Sequence, residues 1–417
     1  MQLPKEFISN TRAMMGESLS ARFLAGLDAE PPVSIRLNPP KSAGYTVVGG
    51  ERVPWCEAGY YLDRRPLFTF DPLLHAGCYY VQEAASMFVA HVLRQHVTAP
   101  VDVLDLCAAP GGKTTAAMGA LPQGCRFWAN EPVRQRAQVL GENISKWGGA
   151  DCTVTNNYPH DYPPTGLRFD VILADVPCSG EGMFRKDPKA VDEWSVQNVE
   201  KCWRLQRQIV SDIWPCLKPG GLLVYSTCTF NTLENEENVR WISEQLGAEV
   251  LPMPVDASWQ VTNSLLPGFL SPVYRFLPGR TKGEGLFMAV LRKHEVVGGR
   301  SKVKADSVSG KAKLNAVAGW IDEPDQFTIL QEEADLLAVS HRLMPLYQQA
   351  RKSLHVVHAG IPMATAKGKD LIPQHGLALS RRLNRQAFPT VRLNYTDAIT
   401  YLRKEQIVLP SAAERGI

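Results

Sequence analysis

The chain has 417 residues, 45% of them hydrophobic, and a formal net charge of +3 at pH 7; this length predicts two or three domains. No apolar run approaches the roughly 18 residues of a membrane span, and the nine irregularly spaced cysteines match neither a disulfide framework nor a metal-ligand pattern. We therefore expect a cytoplasmic protein with reduced thiols and with no membrane or metal partner.

The N-terminal block, residues 1–95, begins with a helical pattern. Apolar residues recur at helical spacing from Phe7 to Leu24. A short β-like run from Ser34 to Leu37 follows, and it stops near two prolines, which strand interiors exclude. The block is therefore predicted to be a small α/β domain.

The second block, residues 96–295, alternates between strand and helix patterns. Such alternation predicts an α/β fold with a mostly parallel sheet and helices on both faces. A further apolar run, from Glu284 to Arg292, is predicted to be a closing strand that pairs antiparallel at the end of the sheet. The predicted parallel strands lie near residues 101–106, 126–130, 152–156, 169–175 and 221–227.

The first of these strands runs into a glycine turn and then a helix, with the sequence Asp-Leu-Cys-Ala-Ala-Pro-Gly-Gly-Lys-Thr from Asp105. A glycine pair at such a junction lets the backbone approach a ligand closely. A phosphate-binding P-loop requires Gly where Cys107 stands, and the dinucleotide pattern Gly-x-Gly-x-x-Gly is absent. The next strand ends in Glu131, where Rossmann-like folds place an acid on a ribose. The pattern predicts a nucleoside cofactor without a pyrophosphate, which suits S-adenosyl-L-methionine.

Two cysteines each follow the end of a predicted strand. Cys178 lies in Asp-Val-Pro-Cys-Ser-Gly from Asp175, and Cys228 lies in Ser-Thr-Cys-Thr from Ser226. Open α/β sheets bind ligands at the carboxyl ends of their strands, and a thiolate there can attack an electron-poor carbon. The alternative is that both are small buried hydrophobes, as most free cysteines are.

Beyond the core, residues 296–312 are rich in Gly, Ser and Lys and are predicted to be a linker. Residues 313–417 are predicted to form a C-terminal domain with β-like runs at 354–357, 360–364 and 390–393. Residues 341–417 contain 12 Lys and Arg against 4 Asp and Glu, a net charge of +8 that leaves −5 on the rest of the chain. Such a basic segment is typical of a phosphate-binding module, and the alternative is a solvated basic face.

Over roughly residues 1–295, these motifs resemble the RNA cytosine-5 methyltransferases, and within them the bacterial ribosomal RNA enzymes of the RsmF type. The three motifs occur in the family's order and at its usual spacing. The resemblance implies a Rossmann-like methyltransferase core, an N-terminal domain that helps hold RNA through Arg36, Asn38 and Lys41, and a C-terminal β-rich PUA-like module that binds RNA. Ordinary loop polarity is the alternative for those three residues.

The resemblance also assigns site residues. Cys228 is expected to attack carbon 6 of the cytosine and Cys178 to assist release; the spacing alone does not distinguish the two cysteines. Apart from the resemblance, a proton on ring nitrogen 3 would assist the attack, and a carboxyl at a strand end, as Asp175 is, can hold that proton. Two departures are visible: Val176 replaces the usual Ala, and Asn157 follows a strand where relatives often carry Asp near the adenine. The expected cofactor-binding residues are Cys107, Ala108, Ala109, Pro110, Gly111, Gly112, Lys113, Glu131, Asn157 and Asp175.

The expected function is methyl transfer from S-adenosyl-L-methionine to carbon 5 of a cytosine in RNA, through a covalent cysteine–cytosine adduct. Small-subunit ribosomal RNA is the expected substrate, and we expect a monomer. The alternatives are a transfer RNA cytosine-5 methyltransferase and a non-catalytic RNA-binding ribosome assembly factor. Retention of both Cys178 and Cys228 favours an enzyme.

Overall fold

The computed structural model describes residues 2–295 and 314–408, so the predicted linker, residues 296–312, lies outside the described residues. The α-helices of the described part are α1 (Lys5–Asp28), α2 (Pro72–His75), α3 (Phe88–His96), α4 (Gly112–Ala120), α5 (Arg134–Trp147), α6 (Pro188–Glu193), α7 (Val196–Ile213), α8 (Glu236–Leu246), α9 (Leu314–Ala318), α10 (Met344–Ala350), α11 (His375–Leu379) and α12 (Tyr395–Leu402).

The N-terminal domain carries an antiparallel sheet of four short strands in the order β2-β3-β1-β4. The predicted run from Ser34 to Leu37 is confirmed as part of its central strand β1. The four strands are β1 (Val33–Leu37), β2 (Glu51–Arg52), β3 (Gly59–Leu62) and β4 (Tyr79–Val81).

The central sheet is mixed and has the order β10-β12-β9-β8-β5-β6-β7-β15, with β11 paired to β12. Its five inner strands, from β9 to β7, are parallel, and the predicted closing strand β12 pairs antiparallel with β9. Both predictions are therefore confirmed. The strands are β5 (Asp102–Asp105), β6 (Arg126–Asn130), β7 (Cys152–Thr155), β8 (Phe169–Asp175), β9 (Leu217–Thr227), β10 (Ala248–Val250), β11 (Tyr274–Phe276), β12 (Leu286–Lys293) and β15 (Val356–Ala359).

The C-terminal residues form a second antiparallel sheet in the order β13-β14-β16-β17. The predicted strand at 390–393 is wrong: these residues adopt no strand, and Val391 is exposed, so the run has no buried face to pair. The strands of this sheet are β13 (Phe327–Glu332), β14 (Asp335–Ser340), β16 (Ile361–Lys367) and β17 (Asp370–Pro373).

The central sheet is covered on both faces. Neighbouring residues along a strand point to opposite faces, and Val103 and Leu104 of β5 accordingly belong to different apolar clusters. The second cluster includes Val339, Leu343 and Tyr347 from the C-terminal segment. The residues after 314 therefore share a hydrophobic core with the central sheet, and they also supply its edge strand β15.

Helix α1 packs against the loops that follow the two cysteine motifs. The ring centroids of Phe7 and Phe184 are 5.1 Å apart, and those of Phe23 and Phe230 are 4.7 Å apart, both edge to face. Such aromatic pairs bury large apolar areas. The N-terminal helix thus packs against the loops after Cys178 and Cys228 and stabilises their positions.

The predicted RNA contacts Arg36 and Asn38 are instead structural. Both are buried, and Arg36 donates to Gln82 Oε1 at 2.7 Å and to Thr115 Oγ1 at 2.6 Å. Asn38 Nδ2 donates to the carbonyls of Gly77 and Trp147. The side-chain donors of Arg36 and Asn38 are hydrogen-bonded to acceptors within the protein, so they are not free to bind RNA. These hydrogen bonds connect the N-terminal sheet to α4 and α5.

Lys41 is engaged in the same way. Its Nζ donates to the carbonyl of Lys146 at 2.6 Å and to that of Ala76 at 3.1 Å, and burial lowers the pKa of Lys41 to about 8. The prediction of an RNA contact is wrong here too, because the ammonium caps one carbonyl at the end of α2 and one in the last turn of α5. Ordinary structural polarity explains all three residues.

Two further properties concern the described residues alone. Across 2–295 and 314–408, no helix has both the length and the hydropathy needed to cross a membrane. Within the same ranges, no group of three or more His, Cys, Asp or Glu side chains is arranged to hold a metal ion.

Candidate active site

The carboxyl ends of β5, β6, β8 and β9 lie at one edge of the central sheet, because these four strands are parallel. They carry Asp105, Glu131 and Asp175 at or just after their ends, and Cys228 directly after β9. The register places Asp175 opposite Ser226 of the neighbouring strand. Residues separated by more than 100 positions in the sequence therefore meet at one site.

The two cysteines are brought together. Cys178 Sγ lies 3.1 Å from Cys228 Sγ, both residues are partly buried, and both thiols are free. The hydrogen bond with Cys228 and burial together raise the pKa of Cys178 well above its ordinary value. The two sulfurs share an S–H···S hydrogen bond in which either can be the donor.

Asp175 is held in place by two donors. Ser226 Oγ donates to Asp175 Oδ1 at 2.7 Å, and Lys113 Nζ donates to Oδ2 at 2.7 Å. Burial lowers the pKa of Lys113, but the attraction of Asp175 outweighs it and the net shift is upward. Lys113 therefore remains a cation, and Cys228 lies within range of its charge.

The loop from Cys107 to Lys113 forms a rigid turn between β5 and α4. Gly111 has φ of +109°, and an added Cβ would meet Leu140 Cδ1 at 3.2 Å. Three side chains donate to the loop's carbonyls: Arg136 to Ala109, and Tyr80 and Asn143 to Pro110. The requirement for glycine lies at Gly111, since a Cβ on Gly112 would make only ordinary contacts, 3.4 Å or longer, with Gln82 and Tyr80.

Two buried acids at this edge keep an oxygen without a hydrogen bond: Oδ1 of Asp105 and Oε2 of Glu131. Arg136 Nη2 lies 3.4 Å from the latter, while Glu131 Oε1 accepts from the backbone N–H of Val133. Buried polar atoms are rarely left without partners unless a ligand supplies them. Acceptors beside a glycine turn fit a nucleoside with hydroxyl and ammonium donors, so these residues fit S-adenosyl-L-methionine.

Asp105 was not among the predicted site residues, although it opens the glycine motif. Burial raises the pKa of Asp105 to about 7, and the nearby charges of Asp175 and Glu131 act in the same direction. An acid at the end of a fully buried strand was the available signal. Glu181 and Glu234, buried beneath the cysteine loops, were also missed.

The predicted cofactor residue Asn157 has other partners in the structure. Its Oδ1 accepts from the backbone N–H of His355 at 3.0 Å, and its Nδ2 lies 3.5 Å from Asp161 Oδ2. These contacts join the end of β7 to the segment before β15. A contact between Asn157 and the cofactor stays a prediction.

Two family profiles match the chain. Residues 90–292 match the family described as 16S rRNA methyltransferase RsmB/F. Residues 3–84 match the N-terminal domain of 16S rRNA methyltransferase RsmF. The two matches divide the chain near the start of α3.

Curated relatives carry the same description. Ribosomal RNA small subunit methyltransferase F of Pectobacterium atrosepticum is 36% identical over 263 residues, covering 58% of this chain and 53% of that protein. The protein of the same name from Escherichia coli is 34% identical over 317 residues, covering 70% of this chain and 64% of that protein. The chain therefore spans between 53% and 64% of the length of these two relatives.

Solved structures share the fold. A methyltransferase homolog protein from Pyrococcus horikoshii aligns with a TM-score of 0.60 at 26% identity, covering 70% of this chain and 95% of that chain. NSun6 from Pyrococcus horikoshii with SFG aligns with a TM-score of 0.58 at 22% identity, covering 70% and 99%. The chain thus belongs to the RsmB/F family of methyltransferases, and its core has the Rossmann-like fold of the S-adenosylmethionine-dependent enzymes.

Proposed function

We propose that this protein transfers a methyl group from S-adenosyl-L-methionine to carbon 5 of a cytosine in small-subunit ribosomal RNA. The observation that carries the proposal is the 3.1 Å approach of the Cys178 and Cys228 sulfurs at the end of the sheet that also carries Asp175. The descriptions of the family and of the curated relatives support the substrate. The geometry of the two thiols supports the reaction type.

The proposed chemistry begins with Cys228. Its thiolate forms a bond to carbon 6 of the cytosine, and Asp175 holds a proton on ring nitrogen 3, so that carbon 5 becomes nucleophilic. The cofactor supplies the electrophilic methyl group. Cys178, as its thiolate, then accepts the carbon 5 proton, and the carbon 6–sulfur bond breaks to return the Cys228 thiolate and the aromatic ring. The target base must leave its stack to admit a thiol above its plane.

The proposed cofactor site is the loop from Cys107 to Lys113 together with Asp105 and Glu131. The oxygens of the two acids that accept no hydrogen bond support this assignment. Glu131 would accept from the ribose hydroxyls, and Asp105 from the ammonium group. Lys113 stays next to Asp175 and would bind the cofactor carboxylate without leaving the site.

The C-terminal residues are proposed to form a PUA-like RNA-binding module over 313–417, after the domains at 1–95 and 96–295. Their own antiparallel sheet and apolar cluster around Val317, Phe327 and Met363 support a β-rich unit. The basic residues of this module differ in whether they already have a partner within the protein. Arg382 pairs with Glu323, and Arg381 donates to the carbonyl of Gly148. The exposed candidates for phosphate contact are Lys367, Lys369, Arg385, Arg392, Arg403 and Lys404.

Bisulfite sequencing of RNA tests the proposal. In a strain lacking the protein, one cytosine of small-subunit ribosomal RNA should lose its methyl group, and the wild-type gene should restore it while the Cys228→Ala gene should not. Loss from transfer RNA instead would establish the transfer RNA enzyme. An unchanged pattern, together with a defect in subunit maturation that Cys228→Ala repairs, would establish a non-catalytic assembly factor. The cytoplasmic location and the monomeric state remain parts of the proposal.

A further inference from the structure

Each of the loops that follow the two cysteines contributes a carboxylate that accepts hydrogen bonds from the backbone of the other loop. Glu181, three residues after Cys178, accepts through Oε2 from the backbone N–H groups of Phe230 at 2.6 Å and Asn231 at 3.1 Å. Glu234, six residues after Cys228, accepts through Oε2 from the N–H of Ser179 at 3.0 Å. Each carboxylate therefore binds backbone N–H groups one to three residues after the other cysteine in the sequence.

Other contacts close the same junction. The N–H of Gly182 donates to the carbonyl of Cys228 at 2.7 Å, and the hydroxyls of Ser179 and Thr229 lie 3.0 Å apart. A Cβ on Gly182 would stand 2.3 Å from the Cys228 carbonyl oxygen, which only glycine allows. The backbone of the Cys178 loop is thus in direct contact with the residue that carries the second thiol.

The two carboxylates are fully buried. Glu181 is 2% exposed and Glu234 is 0% exposed. Asn231 Nδ2 donates to Oε1 of Glu181 at 3.1 Å and to Oε1 of Glu234 at 2.8 Å. Trp194 Nε1 also donates to Glu181, and Gln206 Nε2 also donates to Glu234. The donors named here are all uncharged, so the two buried carboxylates are held by hydrogen bonds to amide and indole N–H groups. Burial and the nearby charge of Glu181 raise the pKa of Glu234 to about 7.

We infer that Glu181 and Glu234 are positioning residues that set the separation of the Cys178 and Cys228 sulfurs. Neither acid touches the substrate; each acts by fixing the backbone that presents a thiol. The inference rests on the proposed function for its catalytic consequence, because the reaction needs both sulfurs on one base. A displacement of about 1 Å in such a site lowers rates by up to about 100-fold.

The two acids are expected to affect different steps. Glu181 holds the backbone after Cys228, so its loss should slow adduct formation. Glu234 holds the N–H of Ser179 directly after Cys178, and its charge also raises the pKa of that thiol, although the hydrogen bond with Cys228 and burial contribute more. Its loss should therefore slow the resolution of the adduct.

The variants that test this are Glu181→Gln and Glu234→Gln. Each is close to isosteric, but the new NH₂ group must face a donor whichever way the amide turns, because both oxygens of each acid accept hydrogen bonds. Asp102→Asn is the matched control, since Asp102 is a buried carboxylate at the opposite edge of the same sheet. Asn231→Ala, at a half-buried residue, is the second variant if a Gln variant does not fold.

The first readout is independent of RNA. Diamide oxidises two neighbouring thiols to a disulfide and is itself reduced to the hydrazine. Peptide mapping then measures the rate at which the Cys178–Cys228 disulfide forms. Both Gln variants should form it about tenfold more slowly than wild type, and Asp102→Asn should match wild type. Equal rates in all four proteins would overturn the positioning role.

The second readout is catalytic. Glu181→Gln should lower kcat at least tenfold with KM for RNA within about twofold and little adduct on a denaturing gel, whereas Glu234→Gln should accumulate adduct. Losses no larger than those of Asp102→Asn would overturn the inference. Absence of methylation by the wild-type protein would overturn the proposed function instead, and the disulfide rates would still decide the positioning role.

Discussion

The amino ends and the carboxyl ends of the parallel strands carry similar numbers of acids, but the acids differ in their partners. We call these two sides of the central sheet the amino edge and the carboxyl edge. At the amino edge, Arg126 binds Asp102 with two hydrogen bonds of 2.6 and 2.9 Å, and Lys218 lies 3.2 Å from Asp102 and 2.8 Å from Asp170. Both acids there are paired with a cation. These groups line a cavity of about 400 Å³, which is polar but electrostatically balanced.

At the carboxyl edge, Asp175 and Glu131 also lie near a cation, Lys113 at 2.7 Å and Arg136 at 3.4 Å, but the hydrogen bonds of the acids are less complete. Asp105 and Glu131 each keep one buried oxygen that accepts no hydrogen bond, and burial raises the pKa of Asp105 to about 7. The carboxyl edge is therefore distinguished by buried acid oxygens that accept no hydrogen bond, whereas the presence of charge alone does not separate the two edges.

The sharpest way to break this comparison is to remove each thiol of the carboxyl edge. Cys228→Ala should abolish methylation and form no covalent adduct with RNA, because carbon 5 stays unreactive without the bond at carbon 6. Cys178→Ala should form the adduct, transfer the methyl group once and stall. A denaturing gel after incubation with RNA and S-adenosyl-L-methionine separates the two. Adduct in Cys228→Ala alone would exchange the roles of the cysteines.

The second prediction concerns Asp105 and the pH dependence of stability. An acid whose pKa is raised on folding holds a proton that the unfolded chain has lost, so the wild-type protein loses stability as pH rises from about 4 to about 7. Asp105→Asn removes that loss. Urea unfolding should show the variant gaining on wild type between pH 5 and pH 8 by up to about 3 kcal/mol. Parallel pH profiles would show that Asp105 does not titrate in this range.

The third prediction concerns Glu131. Glu131→Gln should weaken S-adenosyl-L-methionine binding by a factor of about 10 to 100, since a hydrogen bond to a charged group contributes about 1.5–3 kcal/mol. Isothermal titration measures the affinity. Asp170→Asn at the amino edge is the matched control and should bind as wild type does. Equal losses in the two variants would remove the distinction between the edges.

Much of the core could be predicted from the sequence because parallel strands buried on both faces appear as apolar runs bounded by glycine and proline. The five predicted parallel strands all occur. The strand near 354–357 was also recognised as β-like, but its partner was not: it pairs with β7, which is about 200 residues earlier in the chain. Pairing over such a separation leaves no local pattern in the sequence.

The site was predicted less completely than the fold. Motifs and resemblance singled out Cys178, Cys228 and Asp175, which the structure brings together. The short strand that carries Arg36 was predicted, but the burial of Arg36 between the N-terminal sheet and α4 was not. The type of a polar residue in a short strand does not show whether its side chain will contact water or protein. Glu234 was missed for the opposite reason: an acid near a helix start normally lies in solvent, and this one is fully buried.

The smallest expected effect tests the amino edge. Lys218 is 35% exposed, and its loss leaves Asp102 bound to Arg126 and leaves Asp170, also 35% exposed, to be solvated by water. Exposed ion pairs contribute at most about 1 kcal/mol. Lys218→Met should therefore lower the free energy of unfolding by less than about 1 kcal/mol and leave cofactor affinity and methylation unchanged. Arg126→Met should cost more, because it removes two hydrogen bonds from the buried Asp102. Urea unfolding compares them. A loss of methylation in Lys218→Met at unchanged stability would mean that the amino edge also serves the reaction, and the balance of its charges would then need another explanation.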